Sequence, residues 1–175
     1  MSFNLDEYLA DLETIVNIDS GSSNIAGIEK VANFFEDKYG EIGFNVERHF
    51  VNSDTGCSLV VTNTESSQYD VLLIGHMDTV FSPGTVAERP FSIKGDRAYG
   101  PGVIDMKSGL LLIYYILKEI KQKLPDSEPA ICAILNGDEE IGSKSSRTLI
   151  KEKARKSKIA LVLEPACNWR LCFRA

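Results

Sequence analysis

Four short stretches of the sequence carry side chains that could do chemistry. They are Gly75-His76-Met77-Asp78, Asp105 at the end of the loop Tyr99-Gly-Pro-Gly-Val-Ile-Asp105, Asn136-Gly137-Asp138-Glu139-Glu140, and Glu164-Pro165. One imidazole and several carboxylates converging on a point repel each other unless they are protonated or neutralised. A divalent metal ion is the economical remedy, and nitrogen and oxygen donors of this type suit Zn2+ or a similar ion. A carboxylate can also bridge two ions ~3.5–4 Å apart, the geometry of two-metal hydrolases. The acids available here permit such a pair. Taken singly, each stretch has a plain structural explanation. Asp-Glu-Glu complements a helix dipole, Asp105 caps the next helix, Glu164-Pro165 makes a turn, and His76 is an ordinary packed or surface residue.

The stretches act together only if the elements behind them lie side by side. Residues 71–74, 131–135 and 159–163 are short continuous apolar runs, the pattern of strands buried on both faces of a parallel sheet. Segments 107–124 and 143–154 are long and amphipathic enough to be crossover helices, so strand and helix alternate as in α/β proteins. In open α/β sheets ligands bind at the carboxyl ends of the strands. His76 with Asp78, the 136–140 stretch and Glu164 each follow one of the runs, while Asp105 lies in a Gly-rich loop ahead of the long helix. Upstream, Asn4 and Glu7 resemble a capping box ahead of a helix carrying Leu5, Leu9, Leu12, Ile15 and Val16. A second helix is predicted over about 24–39, with Ile28, Val31, Phe34 and Phe35 inward and Gly40 and Gly43 near its end. Residues 44–51 read as a half-exposed strand and 59–62 as another. The expected fold is α/β, with a mixed, largely parallel sheet flanked by helices.

Composition narrows the partners. The chain has 175 residues, and its net charge of −6 lacks the basic footprint of a nucleic-acid-binding surface. Its longest apolar run, 110–117, is far below the roughly 20 residues needed to cross a bilayer. The acidic, polar start is unlike a signal peptide. Cys57, Cys132, Cys167 and Cys172 form no CxxC pair, which fits a reducing compartment. The expectation is therefore a cytoplasmic domain with no nucleic-acid or membrane partner. The cysteines and Trp169 read as packing residues, Lys107 as part of a helix start, His49 as a solvent-facing strand residue, and 151–158 as a solvated helix end.

Taken in order, Gly75-His-Met-Asp-Thr-Val80, Gly100-Pro-Gly-Val-Ile-Asp-Met-Lys-Ser-Gly109, Asn136-Gly-Asp-Glu-Glu-Ile-Gly-Ser143 and Leu161-Val-Leu-Glu-Pro-Ala166 resemble the catalytic domain of the dinuclear zinc exopeptidase and amidohydrolase family. That family includes glutamate carboxypeptidases, acetylornithine deacetylase, succinyl-diaminopimelate desuccinylase and aminoacylase. The wording around 138–147 is most similar to the glutamate-carboxypeptidase branch. The resemblance implies an incomplete three-layer α/β/α fold, zinc-exopeptidase-like (phosphorylase/hydrolase-like), and these roles: His76 and Glu164 as ligands of a first metal, Asp105 as the bridge, Glu140 as a ligand of the second metal, Asp78 as the residue that orients His76, and Glu139 as general base. It also implies a cis peptide after Asp105. The cofactor would be zinc, two ions per intact site, with cobalt or manganese as alternatives.

The implied reaction is metal-assisted hydrolysis of the amide next to a C-terminal, glutamate-like residue of a small peptide or N-acyl amino acid. Family chains are about twice this long, insert a lid and dimerisation domain, and return with a final His ligand. Residues 1–175 are therefore expected to be the N-terminal part of the catalytic domain, without that domain, the C-terminal part or the last His, and a homodimer is expected only of the intact member. Two alternatives stand beside this: a non-catalytic remnant binding at most one metal, and an N-acyl-amino-acid deacylase.

Overall fold

The computed structural model describes residues 3–51, 54–124 and 127–165. Helix α1 (Leu5–Val16) starts at Asn4, whose Oδ1 accepts the amides of Asp6 and Glu7 at 3.1 and 3.3 Å. The Glu7 carboxylate pairs with Lys118 at 2.7 Å instead of returning to the cap. Leu12, Ile15 and Val16 are buried, but Leu5 is 56% exposed. The first turn overhangs the core, and Leu5 borders a surface groove with Tyr115 and Lys118. Helix α2 (Ile25–Glu41) is capped by Asn24 and runs through Gly40. Ile28, Val31, Phe35 and Tyr39 are buried, whereas Phe34 is only partly so.

The strands in chain order are β1 (Asn45–His49), β2 (Ser58–Thr62), β3 (Tyr69–His76), β4 (Ser92–Lys94), β5 (Arg97–Tyr99), β6 (Ile131–Asn136) and β7 (Ser157–Val162). The remaining helices are the single turn α3 (Thr85–Glu88), the long α4 (Ser108–Lys123) and α5 (Arg147–Arg155). Five strands form one mixed sheet in the order β1-β2-β6-β3-β7. The β1–β2 and β2–β6 pairings are antiparallel, and β3–β6 and β3–β7 are parallel. Alternate residues of each run face opposite layers. Leu59, Val61, Leu73, Ile131, Ala133 and Leu135 pack with α1, α2 and α4. Val60, Leu72, Cys132 and Ile134 pack on the other face with Leu149 and Ile150 of α5. This two-sided burial explains the unbroken apolar runs, each large side chain contributing about 1.5–3 kcal/mol.

Two expectations need correction, and one hairpin adds to them. The run 159–163 is not buried on both faces: among the described residues β7 is a sheet edge, with Ile159 and Val162 exposed at 54% and 55%. Strand α-helix boundaries also shift, since α4 begins at Ser108 after a kinked turn, Val103–Lys107, and α5 begins only at Arg147, after a separate turn at Glu139–Ile141. The β4–β5 hairpin was not anticipated, although Gly95-Asp96 between its strands is a two-residue hairpin signal, with Gly95 at φ +62°. No helix among the described residues is long and apolar enough to cross a membrane.

The connections decide where chemistry can gather. Chain leaves β3, crosses through α4 and returns as β6 on one side of β3; it then crosses through α5 and returns as β7 on the other. The carboxyl ends of β6, β3 and β7 therefore sit together at a switch in strand order, the usual place for a ligand crevice. Register aligns them closely: His76 pairs with Asn136, Ile74 with Val162, and the Leu163 amide bonds the Ile74 carbonyl at 3.2 Å.

Candidate metal centre

His76 ends β3 with its side chain 1% exposed. The Asp78 carbonyl lies 2.9 Å from Nδ1. A carbonyl oxygen only accepts, so this contact requires a proton on Nδ1 and leaves Nε2 as the outward-facing nitrogen. Around Nε2 stand Asp105 Oδ1 at 3.2 Å, Glu164 Oε1 at 3.8 Å and Glu139 Oε2 at 3.9 Å. Candidate ligand atoms form two groups, His76–Glu139–Glu164 and His76–Asp105–Glu140, each with all atoms within 4.8 Å of one another. His76 belongs to both, and the four carboxylates divide in pairs about it. All six predicted site residues thus lie in one neighbourhood.

Each arrives by a different route. Glu139 and Glu140 occupy a one-turn helix directly after β6. This turn lies well ahead of α5, so the pair does not serve as that helix's N-terminal charge. Glu164 follows β7, where Gly109 of α4 approaches so closely that a Cβ would stand 2.4 Å from the Leu163 carbonyl oxygen. Gly109→Ala is accordingly expected to destabilise the chain by about 1–3 kcal/mol and to displace Glu164; thermal melting and zinc affinity read the two effects. Asp105 lies in the kinked turn, its side chain 53% exposed, and the Asp105–Met106 peptide is cis. It is not a helix cap, since α4 has no side-chain cap.

Asp78 is fully buried and holds the site twice. Its carbonyl orients His76, with Oδ1 a further 3.4 Å from Nδ1. Its carboxylate accepts the Ser22 hydroxyl at 2.6 Å and the amides of Glu139 and Glu140 at 3.1 Å each. Asp138, also fully buried, accepts from the Ser145 amide and hydroxyl and from the Ser146 amide. Burial alone would raise its pKa, but the hydrogen bonds from Ser146 and Ser145 hold it below the usual carboxylate value. Neither Ser22 nor Asp138 was singled out from sequence. Asp138 was visible inside the acidic stretch, whereas nothing local marks Ser22.

The electrostatics favour a cation. Burial is the largest influence raising the Glu140 and Glu164 pKa values, with the neighbouring acids adding to it and His76 opposing it. For His76, burial favours the neutral ring, yet hydrogen bonding to Asp78 and the charges of Asp78 and Glu139 prevail and raise its pKa to about 9. The acids are thus short of positive charge and the imidazole is crowded by negative charge. A cavity of about 440 Å³ opens beside Asp105 and Glu140, walled by Val80, Phe81, Tyr99 and Ile104.

Other singled-out residues lie elsewhere or have other roles. Lys107 is buried, with Nζ donating to the Ile18 carbonyl at 2.7 Å; burial lowers its pKa to about 8 against the pull of Asp19. His49 is part-exposed on β1, 3.7 Å from Glu47. Cys57 and Cys132 are buried free thiols, raised by burial to about 12 and 11. Cys167, Trp169 and Cys172 lie outside the described residues.

The chain is similar to known proteins in sequence and in fold. The profile described as peptidase family M20/M25/M40 matches residues 72–171, a stretch containing all six site residues. Carboxypeptidase G2 from Pseudomonas sp. (strain RS-16) is 37% identical over 155 residues, covering 88% of this chain and 37% of that protein. Acetylornithine deacetylase from Vibrio campbellii is 31% identical over 153 residues, covering 84% of this chain and 37% of the relative. Among solved structures, aminopeptidase PepT from Bacillus cereus superposes with a TM-score of 0.73 at 22% identity, over 93% of this chain and 44% of that one. An M20 family metallo-carboxypeptidase from Sulfolobus solfataricus gives 0.70 at 21% identity, over 90% and 37%. The chain spans 37% of the length of the two curated relatives. With over half of its length matched by the family profile and the fold shared with these neighbours, the chain belongs to peptidase family M20/M25/M40.

Proposed function

We propose that this chain carries most of a two-ion hydrolytic centre, and that the protein it represents cleaves the amide bond next to a C-terminal, glutamate-like amino acid of a small peptide. The observation that carries the reading is the paired carboxylate groups facing one buried, oriented imidazole nitrogen. The donor set fits zinc. One nitrogen and four carboxylates match a borderline ion at the sheet edge, and cobalt or manganese would satisfy the same donors. His76, Asp105, Glu140 and Glu164 would hold the ions, with Asp105 as the bridge. When bound, such ions lower the pKa of a water toward ~7 and polarise the scissile carbonyl.

The remaining chemistry belongs to the chain. Asp78 keeps His76 in the Nδ1-protonated tautomer through its carbonyl, and its carboxylate holds the 139–140 turn against the cluster. The half-exposed Glu139 carboxylate takes the proton from the attacking water and delivers it to the leaving amine. The cavity walled by Val80, Phe81, Tyr99 and Ile104 gives the substrate an apolar seat beside Asp105 and Glu140.

The reading extends to domain organisation. Residues 1–175 correspond to the first part of the relatives' catalytic domain, and the lid, the dimer contacts and a further His ligand belong to sequence outside it. The 37% coverage of the curated relatives and the exposed apolar edge at Ile159, Leu161 and Val162 support this. An N-acyl-amino-acid deacylase is the second reading, supported by the acetylornithine deacetylase relatives. The first experiment is elemental analysis of the chain after zinc equilibration and desalting, with one or two zinc ions per chain expected. Retention of none refutes metal binding by this chain and leaves the non-catalytic alternative. Hydrolysis of acyl-glutamate against acetylornithine substrates by an intact relative separates the other two readings.

A further inference from the structure

We propose that Asp138 is a positioning residue: by closing the 138–146 loop on itself it sets the directions in which Glu139 and Glu140 face His76. The role given to those two glutamates rests on the metal-centre reading, but the closure of the loop does not. Asp138 Oδ2 accepts the Ser145 amide at 2.6 Å, the Ser145 hydroxyl at 2.7 Å and the Ser146 amide at 3.2 Å. Its backbone carbonyl accepts the Ser143 amide at 2.8 Å, and the Glu139 carbonyl accepts the Gly142 amide at 2.7 Å. The first residue of the loop therefore gathers three donors from its far end, and the intervening chain is forced into the tight turn carrying both glutamates. Thr55 Oγ1 donates to Ser145 Oγ at 3.1 Å and moors that far end to the segment ahead of β2.

The opposite side of the turn is held by Asp78, which receives the Glu139 and Glu140 amides. Two fully buried carboxylates thus grip the turn, Asp78 beneath the glutamates and Asp138 behind them. Among the described residues no cationic side chain pairs with Asp138: the loop donors all meet Oδ2, and Oδ1 is buried without a hydrogen-bond partner. A buried charge is a costly way to close a loop where an uncharged contact would serve. What it adds is stiffness, because charge-assisted hydrogen bonds are about twice as strong as neutral ones. Stiffness matters where two adjacent side chains must point apart, Glu139 toward the His76–Glu164 group and Glu140 toward the His76–Asp105 group.

The test compares Asp138→Ala, Asp138→Asn and Arg48→Ala in the full chain. Arg48→Ala removes an ion-pair network with Glu29 and Glu36 outside the site and serves as a control of lowered stability. Hydrogen exchange of the metal-free proteins reads the loop directly. The Glu139 and Glu140 amides should exchange roughly tenfold faster in Asp138→Ala, stay protected in Arg48→Ala, and lie between in Asp138→Asn, which keeps one acceptor. Cobalt titration followed by visible absorption, well below the melting temperature, should show affinity about 10- to 100-fold weaker in Asp138→Ala and unchanged in Arg48→Ala. Unchanged amide protection in Asp138→Ala, or in Asp138→Asn should the alanine variant not fold, overturns the proposal, as does undiminished cobalt affinity. If the unaltered chain binds no cobalt, the metal reading falls, and exchange alone still decides whether Asp138 closes the loop.

Discussion

Replacing His76 with alanine is expected to abolish zinc retention by the chain. His76 supplies the only nitrogen in either candidate ligand group, and it belongs to both. Removing it leaves two sets made solely of carboxylates, which suit Mg2+, Ca2+ or Mn2+ better than zinc. Disturbing residues that merely support a ligand already weakens metal binding by about 10- to 100-fold, so losing the ligand itself should exceed the upper figure. Thermal melting gives a second reading. Zinc at 100 times its Kd stabilises a protein by about 2.7 kcal/mol, which for a chain of this size is a rise in Tm of about 5–10 °C. The unaltered chain should show that rise and His76→Ala almost none. Comparing the metal-free proteins isolates the separate cost of removing a buried ring that Asp78 holds. Stoichiometric zinc in the variant would mean that the imidazole is a packing residue and that the carboxylates hold the ion without it.

Glu139→Gln should have the opposite signature, with metal kept and turnover lost. Its carboxylate is half-exposed, its backbone amide is tied to Asp78, and the second group, His76–Asp105–Glu140, does not need it. General acid–base catalysis contributes about 10²–10⁴ to a rate, and kcat should fall by that order with KM little altered. The assay is run on this chain and on an intact relative bearing the corresponding change, so that an inactive chain still leaves a measurement. Zinc content is determined on the same samples. Loss of one ion together with activity would move Glu139 from the base role to the ligand set, in line with its place beside His76 and Glu164. Full activity in the variant would remove it from the chemistry.

Much of the scaffold could be read directly from the sequence because burial on both faces leaves a plain trace. The runs 71–74 and 131–135 became β3 and β6, and segment 107–124 became α4. The same rule failed for 159–163, which is equally apolar yet forms an exposed edge. Apolar content records what a segment is suited to contact, and only the assembled sheet reveals whether the contact is made. Leu5 shows the same thing on a smaller scale, matching the helical period but lying on a turn that overhangs the core. The β4–β5 hairpin carries its sequence signal in Gly95-Asp96 alone, because its strands are three residues each, too short for periodicity to register.

At the site, residue type and position after an apolar run nominated His76, Asp78, Glu139, Glu140 and Glu164, and the Gly-rich loop ahead of the long helix nominated Asp105. Their division about one nitrogen was not legible in this way. Nor was the use Asp78 makes of its carbonyl for His76 and its carboxylate for Ser22 and two amides, or the loop closure by Asp138. Such contacts join residues as much as 62 positions apart, as between Asp78 and the Glu140 amide. A hydrogen bond depends on distance and direction to within tenths of an ångström, whereas a sequence pattern specifies only which face of an element a side chain occupies. The chemistry this chain can attempt was therefore set by its amino acids, and which atom faces which was settled only when β3, β6 and β7 came into register.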